Sequence, residues 1–196
     1  MVPFVTLLCW SIGGCAQRSG KIDRTTVDDY QVERFMGTWY ELARFDHPFE
    51  REMTEVSATY TLNPDGTIAV ENRGMKRGRA KVIRGKARIR DPHRKGELRV
   101  TFFPLISSAY NSLELDLDGY TYALIGSSSP RYLWIMSRQR TLPRATFNRL
   151  LRCAKQRGYD IDALLFVDHS TQGLMLGGND PAPDDPAGSG RTVTLR

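Results

Sequence analysis

The chain has 196 residues, of which 40% are hydrophobic, 26% charged and 10% aromatic, a composition that excludes collagen-like, coiled-coil and wholly disordered architectures. Its length suits one domain of about 150 residues with appendages, and no apolar run approaches the roughly 18–20 residues of a membrane-spanning helix. The net charge of +6, from 28 Lys and Arg against 22 Asp and Glu, favours anionic neighbours without naming nucleic acid.

From the first residue, the chain opens on a leader, 1–14, nearly free of charge and apolar from Val2 to Trp10. The segment Ile12-Gly13-Gly14-Cys15 resembles the bacterial lipobox, in which the Cys after small residues is lipidated and becomes the mature N-terminus. The leader departs from an ordinary export signal in having no Lys or Arg before Arg18. Ala16 after the Cys, rather than Asp, points in this resemblance to the outer membrane, with the protein lipid-anchored at its periplasmic face. Cys9 would leave with the leader and Cys15 would carry lipid, so Cys153 has no partner and no disulfide framework is expected. Residues 15–29 read as a polar tether, 30–171 as the folded unit, and 172–196, dominated by Pro, Gly and Asp, as a disordered tail.

The folded unit reads as short strands of period two, separated by turn signals. Eight are predicted: 37–46, 54–62, 67–73, 79–90, 97–103, 110–116, 120–126 and 132–138. Asn63-Pro64-Asp65-Gly66 and Asp118-Gly119 supply tight turns, because Pro presets one dihedral and Gly accepts a positive φ. A change of apolar parity between Val82 and Ile83 predicts a β-bulge in the fourth strand. Thr141 and Pro143 open a helix with an apolar stripe of Phe147, Leu150, Leu151 and Ala154, which Gly158 ends; residues 163–167 read as a ninth strand. The fold class predicted is all-β: an eight-stranded antiparallel up-and-down barrel, whose closure removes exposed edges, with one helix packed outside.

These residues resemble the lipocalin family. Gly37-Thr38-Trp39 matches its G-x-W motif, Arg138 ends the last barrel strand, and the helix follows in place. The family's middle motif is degraded to Leu115-Asp116-Leu117, in which Asp116 alone carries over. Within the family the chain looks most like bacterial outer-membrane lipoproteins and apolipoprotein D. Gly37, Trp39 and Arg138 read as the structural base, the indole filling the narrow end and the guanidinium lying over its face.

The working part is then the lumen. Small residues Ala43, Ala58, Gly85 and Ala87 leave space, and Val56, Tyr60, Ile68, Val70, Ile89, Val100, Phe102, Leu113 and Met136 supply apolar walls, with Phe45 also counted to the lumen. Glu41 and Asn111 share the inward parity and read as holders of a head group or of a water, or, more in keeping with the cost of a lone buried carboxylate, as partners of each other or of Tyr side chains. A fatty acid or lysophospholipid suits such a lumen, because each buried methylene contributes roughly 0.8 kcal/mol without specific polar contacts.

The open end is expected at 46–53, 74–78, 104–109 and 127–131. Phe49, Met53 and Phe103-Pro104-Leu105-Ile106 form apolar clusters there that read as a ligand entry, a homodimer contact, a membrane contact or a loop folded over its own barrel. Residues 73–99 carry twelve Lys or Arg against Asp91 and Glu97, a basic wall that is either a solvated face or a match for anionic lipid head groups. Aromatic residues are not interleaved on it, so nucleic acid is not expected.

His47, His93 and His169 show no metal-ligand spacing, no G-x-S-x-G elbow occurs, and Cys153 lies on the outer helix. No cofactor, metal or catalytic residue is expected, and a binding protein ranks above an enzyme acting on an apolar substrate or an envelope scaffold with a filled lumen.

Overall fold

The computed structural model describes residues 22–103 and 106–169. The leader, Cys15, the tail from 172 and Pro104-Leu105 lie outside the described residues, as do the side chains of Phe103 and Ile106. Eight antiparallel strands close into a barrel: β1 (Gly37–Phe45), β2 (Met53–Leu62), β3 (Ile68–Lys76), β4 (Arg79–Ile89), β5 (Glu97–Phe103), β6 (Ile106–Leu115), β7 (Tyr122–Gly126) and β8 (Leu133–Ser137). Each pairs with its sequence neighbour, and β1 closes the ring against β8. The expected tight turn at Gly66 has φ 76°, and the β3–β4 hairpin turns through Arg77 and Gly78, both at positive φ as a two-residue hairpin loop requires.

The barrel closes by a seam. The lower half of β1 pairs with β2 as far as Tyr40↔Ser57, and above that point β9 (Leu164–Phe166) takes β2's place beside Ala43–Phe45. The Glu55 amide then donates to the Asp168 carbonyl, so the chain after β9 fills the gap between two strands that have parted.

Two helical elements flank the barrel. The short α1 (Val32–Phe35), not foreseen from the sequence, plugs the base: Phe35 stacks on Trp39 at 4.7 Å, and the indole donates to the Phe35 carbonyl at 2.8 Å. The long α2 (Arg144–Gln156) starts after Pro143 and lays Phe147, Leu150 and Ala154 on Leu42, Ala43, Phe45, Leu124, Leu133 and Ile135. Both faces of β1, β7 and β8 are therefore buried, which is why their sequences read as apolar runs rather than clean alternations.

Two expectations are corrected here. β4 carries no bulge: Arg73↔Val82 and Asn72↔Ile83 pair in unbroken register, and Val82 is an apolar side chain facing out beside the cations of that strand. The register shifts fall instead in β1 (Glu41/Ala43), β2 (Thr54/Ser57), between β5 and β6 (Thr101/Phe103) and in β6 (Ser112/Glu114). Residues 22–29 are also not a free tether. Asp23 and Arg157 exchange a backbone hydrogen bond and an ion pair at 3.2 Å, the Val27 amide donates to the Ser112 carbonyl, and Arg24 donates to the Ser127 carbonyl at 3.0 Å.

Candidate functional site: the barrel lumen

At the base, the Arg138 guanidinium sits 4.0 Å over the Trp39 ring and donates to the carbonyls of Arg34, Met36, Thr38 and Tyr120. Four fixed acceptors and a π-face are what a planar five-donor fork can satisfy at once and an ammonium cannot. Gly37, at φ 93°, lets β1 start against that fork: a side chain there would meet the Arg138 Nη1 atom. Asp116 has a local duty, its carboxylate accepting from the Gly119 and Thr121 amides and holding the base turn; these hydrogen bonds keep its carboxyl below the usual range against a desolvation cost that acts the other way.

Above this floor lies a cavity of about 140 Å³. Ala58, Tyr60, Val70, Val100, Phe102, Tyr110 and Met136 wall it, and Phe49, Tyr132 and Trp134 form its rim, with Ser108 and Ala109 beside them. The rim rings are packed together: Tyr132 stacks on Trp134 at 5.9 Å, and Phe49 lies 6.3 Å from Tyr132 and 6.1 Å from Phe102. The Tyr60 and Tyr110 hydroxyls bond to each other at 2.7 Å, and Tyr110 reaches the Met136 sulfur at 3.4 Å. Burial pushes both phenols upward, favouring their neutral forms.

Of the residues assigned to the lumen from sequence, Glu41, Ala58, Tyr60, Val70, Val100, Phe102 and Met136 stand on the cavity. Ile68, Ala87 and Ile89 point the same way but pack lower, in the core above the base. Gly85 faces the ring of Phe102, which a Cβ there would strike at 2.7 Å, so its space is taken by its neighbour. Val56 is buried against Met53 and Val167 at the seam.

Ala43, Phe45, Asn111 and Leu113 are corrected: they are not lumen residues. In β1, Glu41 pairs with Met136 but Ala43 with Ile135, so one extra residue reverses the parity, and Ala43 and Phe45 turn out beneath α2. In β6 the inward residues are Tyr110 and Ser112, and a second bulge puts Leu113 under α2 beside Leu124. Asn111 faces the outer cleft lined by Asp23 and Arg24.

The same β1 bulge brings Arg44 inward, and this creates a polar cluster that the sequence reading missed. Glu50, fully buried, accepts from Asn72 Nδ2 at 2.9 Å and Trp134 Nε1 at 3.3 Å, and its carboxylate lies 3.0 Å from His47 Nε2. Arg44 donates to the backbone carbonyls of Glu50 at 2.7 Å and Met53 at 3.2 Å, and lies 3.8 Å from Glu41. The first rim loop is thus pinned into the barrel by its own Glu50.

Burial drives the two acids apart in character. Desolvation and the neighbouring Glu50 charge raise Glu41 well above the usual carboxyl range, outweighing Arg44 and favouring its neutral form. Glu50 suffers the same desolvation but stays below its ordinary value, because His47, Arg44 and Trp134 favour its charged form. Asn72 and Trp134 could have been found from sequence, since they continue the inward parities of Ile68-Val70 and of Met136. His47 and Glu50 could not, because a loop carries no periodicity.

A lipocalin-like domain model matches residues 29–169, spanning the base plug, the barrel, α2 and β9. The chain belongs to the lipocalins. Among relatives of this lipocalin, the outer membrane lipoprotein Blc of Vibrio cholerae is 34% identical over 166 residues, covering 84% of this chain and 96% of the relative. The Escherichia coli K12 protein of that name is 37% identical over 145 residues, covering 73% and 81%. Mouse apolipoprotein D is more distant, at 28% identity, covering 73% and 79%. The fold also matches that of insecticyanin from the tobacco hornworm Manduca sexta, at TM-score 0.63 and 19% identity, covering 79% of this chain and 89% of that one. The barrel, the base motif and the outer helix expected from sequence are those of the family, and its members bind small hydrophobic ligands.

Among the described residues no group of three His, Cys, Asp or Glu is placed to hold a metal. His93 is exposed, and burial and a nearby acid raise the Cys153 thiol, which lowers its reactivity. On the outer wall, Glu71 binds Arg73 and Arg84, Asp65 binds Lys86, and Glu52 binds Lys76 and Arg77. Arg79, Arg88, Arg90 and Lys95 have no acid partner among the described residues.

Proposed function

We propose that this lipocalin is a lipid-binding protein of the cell envelope that carries a fatty acid or lysophospholipid in its lumen, for storage or transport. In this reading it is held by a lipid on Cys15 at the periplasmic face of the outer membrane, in keeping with Blc relatives named outer membrane lipoproteins, and it is not an enzyme. One observation carries the reading: an apolar cavity of about 140 Å³ opens between aromatic rim residues above a sealed base. It weighs against a scaffold with a filled lumen. The catalytic alternative has a neutral Glu41 to offer but no nucleophile beside it.

Magnitudes constrain how the chain sits. The cavity, at about 140 Å³, equals about five water-sized groups, so it takes about five methylenes, worth roughly 4 kcal/mol, which alone gives only millimolar affinity. Micromolar binding needs about ten, so the outer half of the chain must be covered by Phe49, Phe102, Tyr132 and Trp134. Phe49→Ala is therefore expected to weaken fatty-acid binding about tenfold with little loss of fold stability, read by calorimetric titration.

The direct test is mass spectrometry of lipids carried by the purified protein and of fatty acid bound after delipidation. One acyl chain per barrel is expected; a lumen that stays empty at saturating fatty acid overturns the reading. For the anchor, Cys15→Ser should release the protein from membranes into the soluble fraction, and retention of that variant on the membrane would show another attachment.

A further inference from the structure

Neither residue that the sequence offered for a head group is placed to serve one: Asn111 faces the outer cleft, and Glu41 lies buried beside Arg44 and Glu50. The mouth of the barrel offers cations instead. β3 and β4 pair in unbroken register, so Ala87, Gly85 and Ile83 share a face with their partners Ile68, Val70 and Asn72. That face turns inward, since Val70 and Asn72 stand on the cavity. The same alternation continues to Lys81, opposite Gly74, and to Arg79, opposite Lys76, at the open end of the strand. Lys81 is half-buried, and its ammonium donates to the Phe49 carbonyl at 3.3 Å, while the Phe49 ring walls the cavity. We propose that Lys81, supported by Arg79, binds the anionic head of a lipid whose chain fills the lumen. The inference rests on the lumen being a lipid site and names the head group that it selects.

The inward row of β4 is apolar or small up to Ile83 and then ends in two positive charges. An ammonium carries three donors, and the Phe49 carbonyl takes one of those on Lys81. The acids of the same lip are engaged elsewhere: Asp46 by Arg51, Glu52 by Lys76 and Arg77, and Glu50 by the buried cluster below. Lys81 and Arg79 therefore have no acid partner among the described residues. Depth agrees with this role. Lys81 lies two residues above Ile83, the partner of Asn72, which is about 7 Å of strand above the cavity wall. A lipid with its head at Lys81 thus passes Phe49 and sends its chain down between the rim rings. A carboxylate and a phosphate share the required chemistry, since both accept hydrogen bonds and bring the opposite charge. A hydroxyl head gains no charge attraction, and an ammonium head is repelled.

The test is calorimetric titration of the delipidated full chain at low salt with dodecanoate, dodecyl phosphate and 1-dodecanol, three heads on one length of chain. An anion should bind about tenfold more tightly than the alcohol, and the advantage should fade as salt is added. An advantage shown by both anions supports the proposal for either lipid source; one confined to dodecanoate supports it with a free fatty acid, and one confined to dodecyl phosphate with a lysophospholipid. Lys81→Gln, which keeps a donor for the Phe49 carbonyl, should remove most of the advantage and leave dodecanol binding unchanged, whereas Lys81→Arg should retain it. Equal affinities for the alcohol and both anions overturn the proposal. So does an equal loss for anion and alcohol in Lys81→Gln, which would make Lys81 only a strut for the rim loop. If Lys81→Gln fails to fold, the native chain and Arg79→Gln still decide: an advantage that neither salt nor Arg79→Gln reduces overturns it. Binding without discrimination sinks the head-group preference alone, whereas failure of all three ligands to bind sinks the lipid reading and takes the preference with it.

Discussion

Glu41 and Glu50 sit side by side yet respond to acid in opposite senses. Glu41, whose folded pKa is raised above its ordinary value of 4.5, does not hinder folding below that value, and stability is lost as pH climbs toward the raised one, because only the unfolded chain ionises. Glu41→Gln removes that loss. The variant should match the native protein near pH 4 and become progressively more stable than it as pH rises toward neutrality, measured by urea denaturation across pH. A constant difference between the two at all pH values would contradict a neutral Glu41. Glu50, with its depressed pKa, contributes stability that is present above 4.5 and lost as pH falls through its folded value. Glu50→Ala leaves Arg44 without its carboxylate and frees Asn72 and Trp134 Nε1, so a loss of about 3–5 kcal/mol is expected at pH 7. At the base, Arg138→Lys keeps the charge over Trp39 but cannot serve four carbonyls, and a loss of about 2–3 kcal/mol should appear in the same assay.

At the scale of elements, a single inserted residue in β1 does most to separate what the sequence could tell from what it could not. Below the bulge, Trp39 and Glu41 obey the alternation and face inward. Above it, Ala43 and Phe45 have the same chemistry as lumen residues but face α2, and the charged Arg44 takes the inward place. Alternation reports a buried face only where the other face is wet, and under α2 both faces are dry. That is also why Leu113 misled and why the parity change at Val82, an exposed valine, suggested a bulge where none exists. The helix itself was legible from its apolar stripe. Leu150→Ala should cost about 2–5 kcal/mol, because it opens a cavity against Leu124 and Leu133, while leaving lipid affinity intact. A matching fall in affinity would mean that α2 and the lumen are coupled.

At the scale of the whole molecule, strand count, order and closure followed from turn spacing, because eight short strands with hairpin links have few ways to hide their edges. The base plug did not follow, since four residues of helix leave no periodic trace. The surface charge is uneven in a way composition alone could not show: Glu52, Asp65, Glu71 and Glu97 answer half of the basic wall, and Arg79, Lys81, Arg88, Arg90, Lys95 and Arg99 have no acid partner among the described residues. Four such cations at the surface, at roughly 1 kcal/mol each, predict a preference for anionic over neutral vesicles on the order of a thousandfold in low salt, fading as salt is added. Equal sedimentation with both vesicle types would make the wall an ordinary solvated face.

The strap of residues 22–29 climbs the outside of the barrel from the plug and leaves it beside Ser127, level with the rim. Ile22, the first described residue, therefore stands at the open end, not at the sealed one. The seven residues from Cys15 to Ile22 span at most about 25 Å when fully stretched. Under the anchoring proposed above, a lipid on Cys15 would therefore keep the doorway within that short leash of the bilayer, so that cargo could pass between the two without the carrier having to turn over.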